Sequence, residues 1–449
     1  MMQPFPLSEA KAPEHVGPLP ASADAVVIGG GVIGVTTALF LARAGASVVL
    51  VEKGRVAAEQ SSRNWGWIRV QGRDMAEVPI ALEAQALWQA LAGEVDTDIG
   101  LVSGGVAYLA GSAGEVARYA RWRAEAGRFG VSTEVLDSAA TARLLPGASV
   151  GWAGAMWTPS DMRAEPYVAV PALARLAARA GAVIREGCAA RRLDIVSGRV
   201  AGVTTEAGRI RAGAVVLAGG AWSSLFLRAH GVSIPQLSVR ATVVRTAPLP
   251  EVFAGAAVDS RLAFRRRADG GYTLAPEAFH ELYIGPDAFR ALPAFVPQLR
   301  RDPFNTAYKP AAPRGFPDGW GTRRGWDADS VTPFERMRVL NPAPNLRRSE
   351  RLLRDFAATF PGLGPVAMAQ RWAGMIDLMA DSVPVVGPVE RLPGLIVATG
   401  MSGHGFGIGP GFGRVLADLV RGVDPGHDLT RFRIGRFSDG SRLDLGPHL

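Results

Sequence analysis

The apolar positions of the chain alternate between short continuous runs and amphipathic stretches, a pattern typical of a layered α/β protein. Apolar runs predict buried strands at Val26–Ile28, Ser47–Val51, Ala214–Ala218 and Leu395–Thr399. Apolar residues spaced three and four apart predict helices over 32–44, 78–93 and 165–180, and a final helix over about 411–421. The alternation of these strands and helices predicts a parallel sheet with helices on its faces.

The middle of the chain follows a different pattern. Residues 189–216 and 236–275 are rich in strands and turns, whereas residues 276–345 are irregular and rich in proline and aromatic side chains. A segment of that length predicts a lid, a binding insertion or an interface. The predicted fold class is α/β: a discontinuous Rossmann-like domain with an antiparallel-sheet α+β domain threaded through it. The predicted parts are an arm, 1–22; a dinucleotide-binding domain, 23–100, 155–235 and 380–435; and a substrate domain, 101–154 and 236–379, with the insertion 276–345.

The first predicted strand runs directly into Gly29-Gly30-Gly31-Val32-Ile33-Gly34 and a helix, and the second strand ends at Glu52. In a dinucleotide-binding βαβ unit, Gly29 permits the tight turn, Gly31 lets the backbone approach a pyrophosphate, and Gly34 lets helix and strand pack closely. The helix N-terminus faces the phosphates, and Glu52 accepts hydrogen bonds from a ribose. At this point the ligand is either NAD or FAD.

Composition excludes several other classes of protein. The chain has 449 residues, of which 48% are hydrophobic and 20% charged, with a formal net charge of +8. The basic residues are scattered arginines for the most part, so we predict no nucleic-acid binding. A single cysteine, Cys188, rules out an intramolecular disulfide, and no metal-ligand spacing appears. Without an 18-residue apolar run or a signal sequence, a cytoplasmic location is predicted.

Three further segments carry a family resemblance. These are Glu59-Gln60-Ser61-Ser62-Arg63-Asn64-Trp65-Gly66, the run from Val215 to Ser223, and the glycine-rich run from Ala398 to Pro410. With the N-terminal motif, they resemble the flavoprotein family of D-amino-acid oxidase, glycine oxidase, sarcosine oxidase and D-amino-acid dehydrogenase, over roughly residues 23–430. The insertion and the segments 187–191 and 332–335 are similar to one branch, the membrane-associated bacterial L-amino-acid deaminases.

The resemblance implies FAD as a non-covalent cofactor, since Cys188 is not at a position where relatives attach flavin. It implies a glycine turn, Gly400 to Gly409, whose backbone N–H groups face the flavin N1 and C2 carbonyl. The cofactor-binding residues predicted in this way are Gly29, Gly31, Val32, Ile33, Gly34, Glu52, Lys53, Ser61, Ser62, Asn64, Trp65, Gly66, Ala189, Ala190, Gly219, Gly220, Trp222, Gly403, His404, Gly405, Phe406, Gly407 and Ile408.

The implied reaction is oxidation of an amine or amino acid by hydride transfer from the carbon next to nitrogen to flavin N5. Many family members bind the substrate carboxylate with an arginine at a position that Ile376 occupies here. In the deaminase branch a different strand supplies the anchor, and Arg265 takes that position. We therefore predict Arg265, His404 and Trp67 as catalytic residues: the anchor, a proton-handling group and a wall of the site. An inward-facing Asp377 would favour a cationic substrate.

The predicted partners are a small amine or amino acid and an electron acceptor, which is oxygen or a quinone or other respiratory acceptor. Aromatic residues of the insertion, Phe279, Tyr283, Phe289, Phe295 and Phe304, suggest peripheral contact with the inner membrane face; a lid or dimer contact is the alternative. The oligomeric state stays open. Two other functions are compatible with the scaffold: a hydroxy-acid dehydrogenase, and a flavin-bearing subunit of a hetero-oligomeric amine dehydrogenase.

Overall fold

The computed structural model describes residues 5–277, 280–301 and 306–447. The α-helices within these ranges are α1 Val32–Arg43, α2 Gln60–Arg63, α3 Val78–Ala92, α4 Ala113–Ala126, α5 Ser138–Leu144, α6 Pro166–Arg179, α7 Ser223–Arg228, α8 Pro286–Arg301, α9 Pro333–Arg336, α10 Leu346–Thr359 and α11 Gly405–Arg421.

The β-strands are β1 Ala25–Ile28, β2 Val48–Glu52, β3 Trp67–Ile68, β4 Val106–Ala110, β5 Glu134–Asp137, β6 Gly154–Thr158, β7 Met162–Arg163, β8 Val183–Glu186, β9 Ala190–Val196, β10 Arg199–Thr205, β11 Gly208–Arg211, β12 Ala214–Leu217, β13 Gln236–Thr246, β14 Ala256–Val258, β15 Ala263–Arg266, β16 Tyr272–Ala275, β17 His280–Tyr283, β18 Thr306–Lys309, β19 Met368–Met379, β20 Val385–Pro388 and β21 Leu395–Thr399.

A six-stranded sheet collects strands from the beginning, middle and end of the chain, in the order β20-β21-β12-β1-β2-β8. All neighbours are parallel except β20 and β21. The strands β1 and β21 are buried at every residue, because α1, α6 and α11 cover one face and the three-stranded sheet β11-β10-β9 lies against the other. The predicted α/β class and its Rossmann-like sheet are confirmed.

A second sheet of ten strands has the order β18-β17-β13-β16-β15-β14-β4-β6-β5, with β19 paired to β13. Helix α10, through Leu352 and Phe356, and Phe360 directly after it cover one face, where they pack with Phe264 of β15 and Tyr272 of β16. Strand β6 belongs to this sheet, although the predicted boundary at residue 155 assigned it to the other domain. The remaining domain boundaries stay predictions.

The insertion 276–345 is more regular than the sequence indicated. It contains β17, β18, α9 and the 16-residue helix α8, so the prediction of an irregular segment is wrong there. Two prolines inside α8, Pro293 and Pro297, obscured its periodicity; both are exposed, whereas Ala291 and Phe295, spaced four apart, are buried. Phe279 and Phe304 lie outside the described residues.

Helix α11 begins at Gly405, six residues before its predicted start. Its glycines serve close packing: a Cβ at Gly409 would lie 2.6 Å from Val32 Cγ2, and one at Gly413 would lie 2.2 Å from Thr36 Oγ1. Thr36 Oγ1 also donates to the Gly409 carbonyl at 3.1 Å. The glycines therefore bring α11 against α1 rather than extending the turn before it. No helix in the described part of the chain is long and apolar enough to cross a membrane.

Candidate active site

One continuous cavity of about 970 Å³ runs from the turn after β1 to the inner side of α8. It opens at the carboxyl ends of β1, β12 and β21, where ligands bind in open α/β sheets. Side chains of β13 and β19 from the second sheet form the facing wall, including Leu237, Val239 and Met375. The cavity therefore lies between the two sheets, with room for a dinucleotide and a second small molecule.

The turn after β1 has the geometry expected of a dinucleotide-binding motif. Gly29 has φ of +112°, and a Cβ at Gly34 would lie 2.0 Å from the Gly29 carbonyl oxygen, so both positions require glycine. Gly31 caps α1, and the N–H of Val32 donates to Ser61 Oγ at 2.9 Å. The positive end of α1 thus faces the cavity, where it favours a pyrophosphate.

Glu52 and Lys53 follow one another in sequence but differ in what they offer a ligand. Glu52 accepts from the Gly30 and Gly54 N–H groups, each at 2.7 Å, and still has free lone pairs for ribose hydroxyls. Burial raises the pKa of Glu52. The Lys53 ammonium donates to Glu59 Oε1 at 2.6 Å and to the Met337 and Arg338 carbonyls at 2.9 Å. Lys53 also lines the cavity, but the three protons of its ammonium have acceptors within the protein, so the ammonium is not free to bind the cofactor.

Most of the other predicted cofactor residues line the cavity. They are Gly29, Gly31, Val32, Ile33, Glu52, Ser61, Asn64, Trp65, Ala190, Gly219, Gly220, Trp222, Gly403, His404, Gly405 and Phe406. The predicted residues that do not line it are Gly34, Ser62, Gly66, Ala189, Gly407 and Ile408. Gly407 and Ile408 lie within α11 and are buried, with a Cβ at Gly407 lying 2.9 Å from the Trp67 carbonyl oxygen.

Asp377 of β19 holds the glycine turn that precedes α11. Its Oδ2 accepts from Gly400 N–H at 2.8 Å, and its carbonyl accepts from Ser402 N–H at 2.9 Å. Gly400, Ser402 and Gly403 all have positive φ, so the turn depends on these contacts. Burial raises the pKa of Asp377 to about 6. Asp377 lines the cavity, which is the position from which it would favour a cationic substrate, but one of its carboxylate oxygens accepts a hydrogen bond from the turn.

Arg265 is not in the cavity, so the prediction that it anchors a substrate is not supported. Its guanidinium is buried and bonded to Glu165, with Nη1–Oε1 at 2.9 Å and Nη2–Oε2 at 3.2 Å. Glu165 lies at the start of α6, where the sequence predicts a helix to begin, but no motif indicates its contact with Arg265. Arg265 does lie on a strand, β15, but the neighbouring Glu165 carboxylate binds its guanidinium.

Sequence reasoning missed a different arginine, Arg69, which does line the cavity. Its guanidinium lies over the Tyr108 ring, 5.3 Å from the centroid, and donates to the Gln71 carbonyl. Within the described residues no ion pair joins it to a carboxylate. One signal was available: Arg69 follows Trp67 by two residues in an extended segment, so the two side chains share a face. Trp67 also lines the cavity, and its ring packs on Trp65 at 5.3 Å.

Beside Arg69, three cavity-lining side chains form a cluster: the buried Arg73 and Glu77, and the partly exposed His404. Glu77 Oε2 lies 3.5 Å from His404 Nδ1 and 3.8 Å from Arg73 Nη1. Among the described residues, both Glu77 oxygens, His404 Nδ1 and Arg73 Nη1 lack a hydrogen-bond partner. Burial, with Arg73 close by, lowers the pKa of His404 to about 4. Burial alone would raise the pKa of Glu77, but His404 and Arg73 outweigh it and the net shift is downward.

The fold and this cavity define a dinucleotide-dependent oxidoreductase. The sequence model of the FAD dependent oxidoreductase family, DAO, matches residues 24–419, so the chain belongs to that family. FAD, held non-covalently, is therefore the cofactor, and the resemblance noted in the sequence is confirmed. The residues present fit the cofactor: a glycine cradle for the pyrophosphate, a carboxylate with free lone pairs for the ribose, and a positive-φ turn at a helix N-terminus.

Solved and curated relatives agree with this assignment. The L-amino acid deaminase of Proteus myxofaciens, solved with anthranilate, is 28% identical with a TM-score of 0.91, covering 98% of each chain. Glycine oxidase of Geobacillus kaustophilus is 27% identical over 92% of this chain and 97% of its own length. The 4-methylaminobutanoate oxidase (formaldehyde-forming) of Paenarthrobacter nicotinovorans is 27% identical over 94% of this chain, which spans only 46% of that enzyme.

Proposed function

We propose that this protein oxidises an α-amino acid at the carbon next to nitrogen, giving an imine that water hydrolyses to a 2-oxo acid and ammonia or an amine. The observation that carries the proposal is that one cavity contains both the dinucleotide-binding turn and Arg69, a guanidinium without a carboxylate partner among the described residues. The L-amino acid deaminase and glycine oxidase relatives support the same substrate class.

Arg69 anchors the substrate carboxylate in this proposal. Ile376 occupies the usual arginine position, and the Arg265 guanidinium is bonded to Glu165. Arg69 keeps N–H groups available beyond its single bond to the Gln71 carbonyl, and its position over Tyr108 fixes the plane of the guanidinium. A planar guanidinium binds both oxygens of a carboxylate, which sets the orientation of the α-carbon.

The remaining residues shape and dry the site. Trp65 and Trp67 form an apolar wall, and Asp377 holds the Gly400–His404 turn, which lines the cavity at the N-terminus of α11. Bound FAD supplies the hydride acceptor. What the chain itself contributes is orientation, because a well-placed donor carbon gains much of the rate from proximity.

An anaerobic screen of the FAD-loaded protein tests this function. We expect bleaching of the flavin absorbance by at least one α-amino acid, with ammonia or an amine and a 2-oxo acid as products. A panel of both stereoisomers, N-methylated amino acids and 2-hydroxy acids assigns the substrate class. Bleaching by hydroxy acids alone would replace this function with a hydroxy-acid dehydrogenase, and no bleaching by any member would favour a subunit that needs a partner chain.

For the electron acceptor, we propose a membrane quinone, reached by peripheral contact through α8. The support is an exposed apolar group: Phe289 is 62% exposed, Leu292 44%, and Trp320 56%, with the Phe289 and Trp320 rings 6.0 Å apart. Leu292 and Phe289 also line the outer end of the cavity. In sedimentation with vesicles of phosphatidylglycerol and a ubiquinone, we expect the wild-type protein to pellet with the vesicles. The double variant Phe289→Ser, Leu292→Ser should stay in the supernatant. Equal pelleting of the wild type and the double variant would exclude this contact.

A further inference from the structure

The cluster of Arg73, Glu77 and His404 contains more unpaired buried polar atoms than a folded interior tolerates without reason. Four such atoms meet within one group: two carboxylate oxygens, a guanidinium nitrogen and an imidazole nitrogen. Glu77 is 1% exposed at its side chain, whereas His404 is 22% exposed and lines the cavity. The carboxylate thus lies behind the imidazole as seen from the site, which is the order found in carboxylate–histidine base pairs.

We propose that His404 accepts the proton that the substrate ammonium must lose before its α C–H bond can react, and that Glu77 is the positioning residue for His404. This inference rests on the proposed function. A zwitterionic amino acid transfers one proton from its ammonium nitrogen to the imidazole, leaving a neutral amine and an imidazolium. The amine lone pair then assists departure of the hydride. No other reactant is consumed in the transfer.

The geometry assigns the two ring nitrogens. Nδ1 faces Glu77 Oε2 at 3.5 Å, so Glu77 favours the tautomer with the proton on Nδ1. In an imidazole the other nitrogen, Nε2, points away from Nδ1, and the ring lines the cavity. Nε2 in that tautomer carries a lone pair and accepts a proton. The backbone N–H of His404 donates to the Met401 carbonyl at 2.7 Å, and this bond fixes the position of His404 at the start of α11.

The charges around the pair act on both the proton donor and the proton acceptor. Arg69 and Arg73 both act on His404 and Glu77, and Asp74 lies within electrostatic reach of Glu77. Two guanidinium groups close to a bound ammonium lower its pKa, as does its removal from water. A neutral His404 at pH 7 agrees with its pKa of about 4, and the ionised Glu77 stabilises the imidazolium once it forms. The same guanidinium groups also lower the pKa of His404, and Glu77 is the neighbour that favours the imidazolium.

The pH dependence of anaerobic flavin reduction tests the proposal. With the α-amino acid identified in the screen, we expect the second-order rate of reduction of the wild-type protein to be nearly flat between pH 7 and 9. His404→Asn must take its neutral amine from solution, so its rate should rise about tenfold per pH unit until the free ammonium titrates. Glu77→Gln should give a rate that rises with pH less steeply than that of His404→Asn but more steeply than that of the wild type. Glu77→Asp, which keeps the carboxylate, should give a flatter pH profile than Glu77→Gln.

A matched control is available in a second histidine–glutamate pair. His427 Nε2 lies 2.5 Å from Glu83 Oε2 and neither side chain lines the cavity. His427→Asn should keep the wild-type profile. A flat profile for His404→Asn would overturn the proposal. Failure of the wild-type protein to react with any amine would instead remove the proposed function, so the two failures are distinguishable.

A second measurement does not depend on turnover or on a folded variant. 2-Aminoisobutyrate has no α-hydrogen and binds without being oxidised, which is verified by a shift of the flavin absorbance. Nitrogen NMR of histidine-labelled holoenzyme at pH 7.5 should show one ring changing from neutral to imidazolium when the analogue binds. If the analogue binds while all ring signals stay neutral, His404 is not the acceptor. If the analogue does not bind, the pH profiles decide.

Discussion

Arg265 and Glu165 form a buried bidentate ion pair behind the wall of the active site, with N–O distances of 2.9 and 3.2 Å. Glu165 also accepts from the Ala268 N–H at 2.9 Å, so its negative charge is fully enclosed by donors. The guanidinium lies directly against Gly66, where an added Cβ would be 3.0 Å from Arg265 Cζ. The pair therefore supports the backbone between Trp65 and Trp67 from behind, rather than contacting a substrate.

Replacing Arg265 should destabilise the fold more than it changes substrate binding. Arg265→Gln leaves Glu165 as a buried charge without its main partner, and breaking a buried pair costs about 3–5 kcal/mol. Thermal unfolding of the FAD-loaded protein should show a Tm drop of several degrees. Arg209→Gln, at the Arg209–Asp194 pair, in which the arginine is 55% exposed, should cost less than about 1 kcal/mol. A selective rise in KM with an unchanged Tm would return Arg265 to the site.

The same pair should make stability depend on acid pH. Arg265 and Arg267 outweigh the burial of Glu165 and hold its pKa at about 2, compared with 4.5 for an ordinary glutamate. The folded state thus favours the ionised form. The resulting stabilisation, about 3 kcal/mol, is present above pH 4.5 and is lost as the pH falls through about 2. Urea midpoints measured from pH 6 to 2.5 with excess FAD should fall in wild type and less in Glu165→Gln; equal slopes would contradict the assignment.

The sequence predicts the nucleotide half of the site far better than the substrate half. Gly29, Gly34 and Glu52 act within a short stretch of chain, where one turn and two strand ends fix every position. Arg265 and Glu165 are 100 residues apart, and their contact depends on how β15 lies against the start of α6. No local pattern carries that information, and for the same reason the cluster of Glu77 and His404 was not predicted as a group.

Helix α11 shows a local pattern with two meanings. Alternating glycines resemble a flexible turn, yet at Gly409 and Gly413 the glycines let two helices approach closely. Whether such glycines form a flexible turn or a close helix–helix contact depends on the partner helix α1, which lies more than 360 residues earlier in the chain. The turn that remains, Gly400 to His404, is identified by positive φ values rather than by glycine content.

Substituting alanine at two helical glycines should therefore change stability in opposite directions. Gly413→Ala puts a Cβ 2.2 Å from Thr36 Oγ1, and such overpacking costs about 1–3 kcal/mol. Gly114 in α4 is exposed and its nearest neighbour to an added Cβ is 3.9 Å away, so Gly114→Ala should stabilise by about 0.5–1 kcal/mol. Chemical unfolding measures both. A stabilising Gly413→Ala would show that α1 and α11 separate more easily than their contact implies.

Glu52 and Lys53 should differ in their effect on FAD. Glu52→Ala removes an acceptor that faces the cavity and should raise the Kd of FAD at least tenfold, about 1.4 kcal/mol. Lys53→Met should lower Tm, because two carbonyls lose the ammonium donor and Glu59 loses one of several donors, and it should change the Kd of FAD less than Glu52→Ala does. Fluorescence titration of the apoprotein with FAD gives both constants. A larger loss for Lys53→Met would restore lysine to the cofactor site.

Arg69 should determine how well the substrate carboxylate is held. Arg69→Gln removes a charged, bidentate donor and should raise KM by at least tenfold, about 1.4 kcal/mol, because the cavity then lacks the fork that binds both carboxylate oxygens, although the Arg73 charge remains. Arg69→Lys keeps the charge but loses the planar fork, so its KM should lie between those of the wild type and Arg69→Gln.

Arg55 provides the matched control for this prediction. It also lines the cavity, but it donates to the Lys11 and Gly54 carbonyls, so Arg55→Gln should have little effect on KM. The amine analogue of the substrate, lacking its carboxylate, should react equally poorly with wild type and Arg69→Gln, since neither then has an anion to bind. If Arg69→Gln leaves the KM for the amino acid unchanged, the carboxylate is held elsewhere, and the orientation of the α-carbon must be assigned to other contacts.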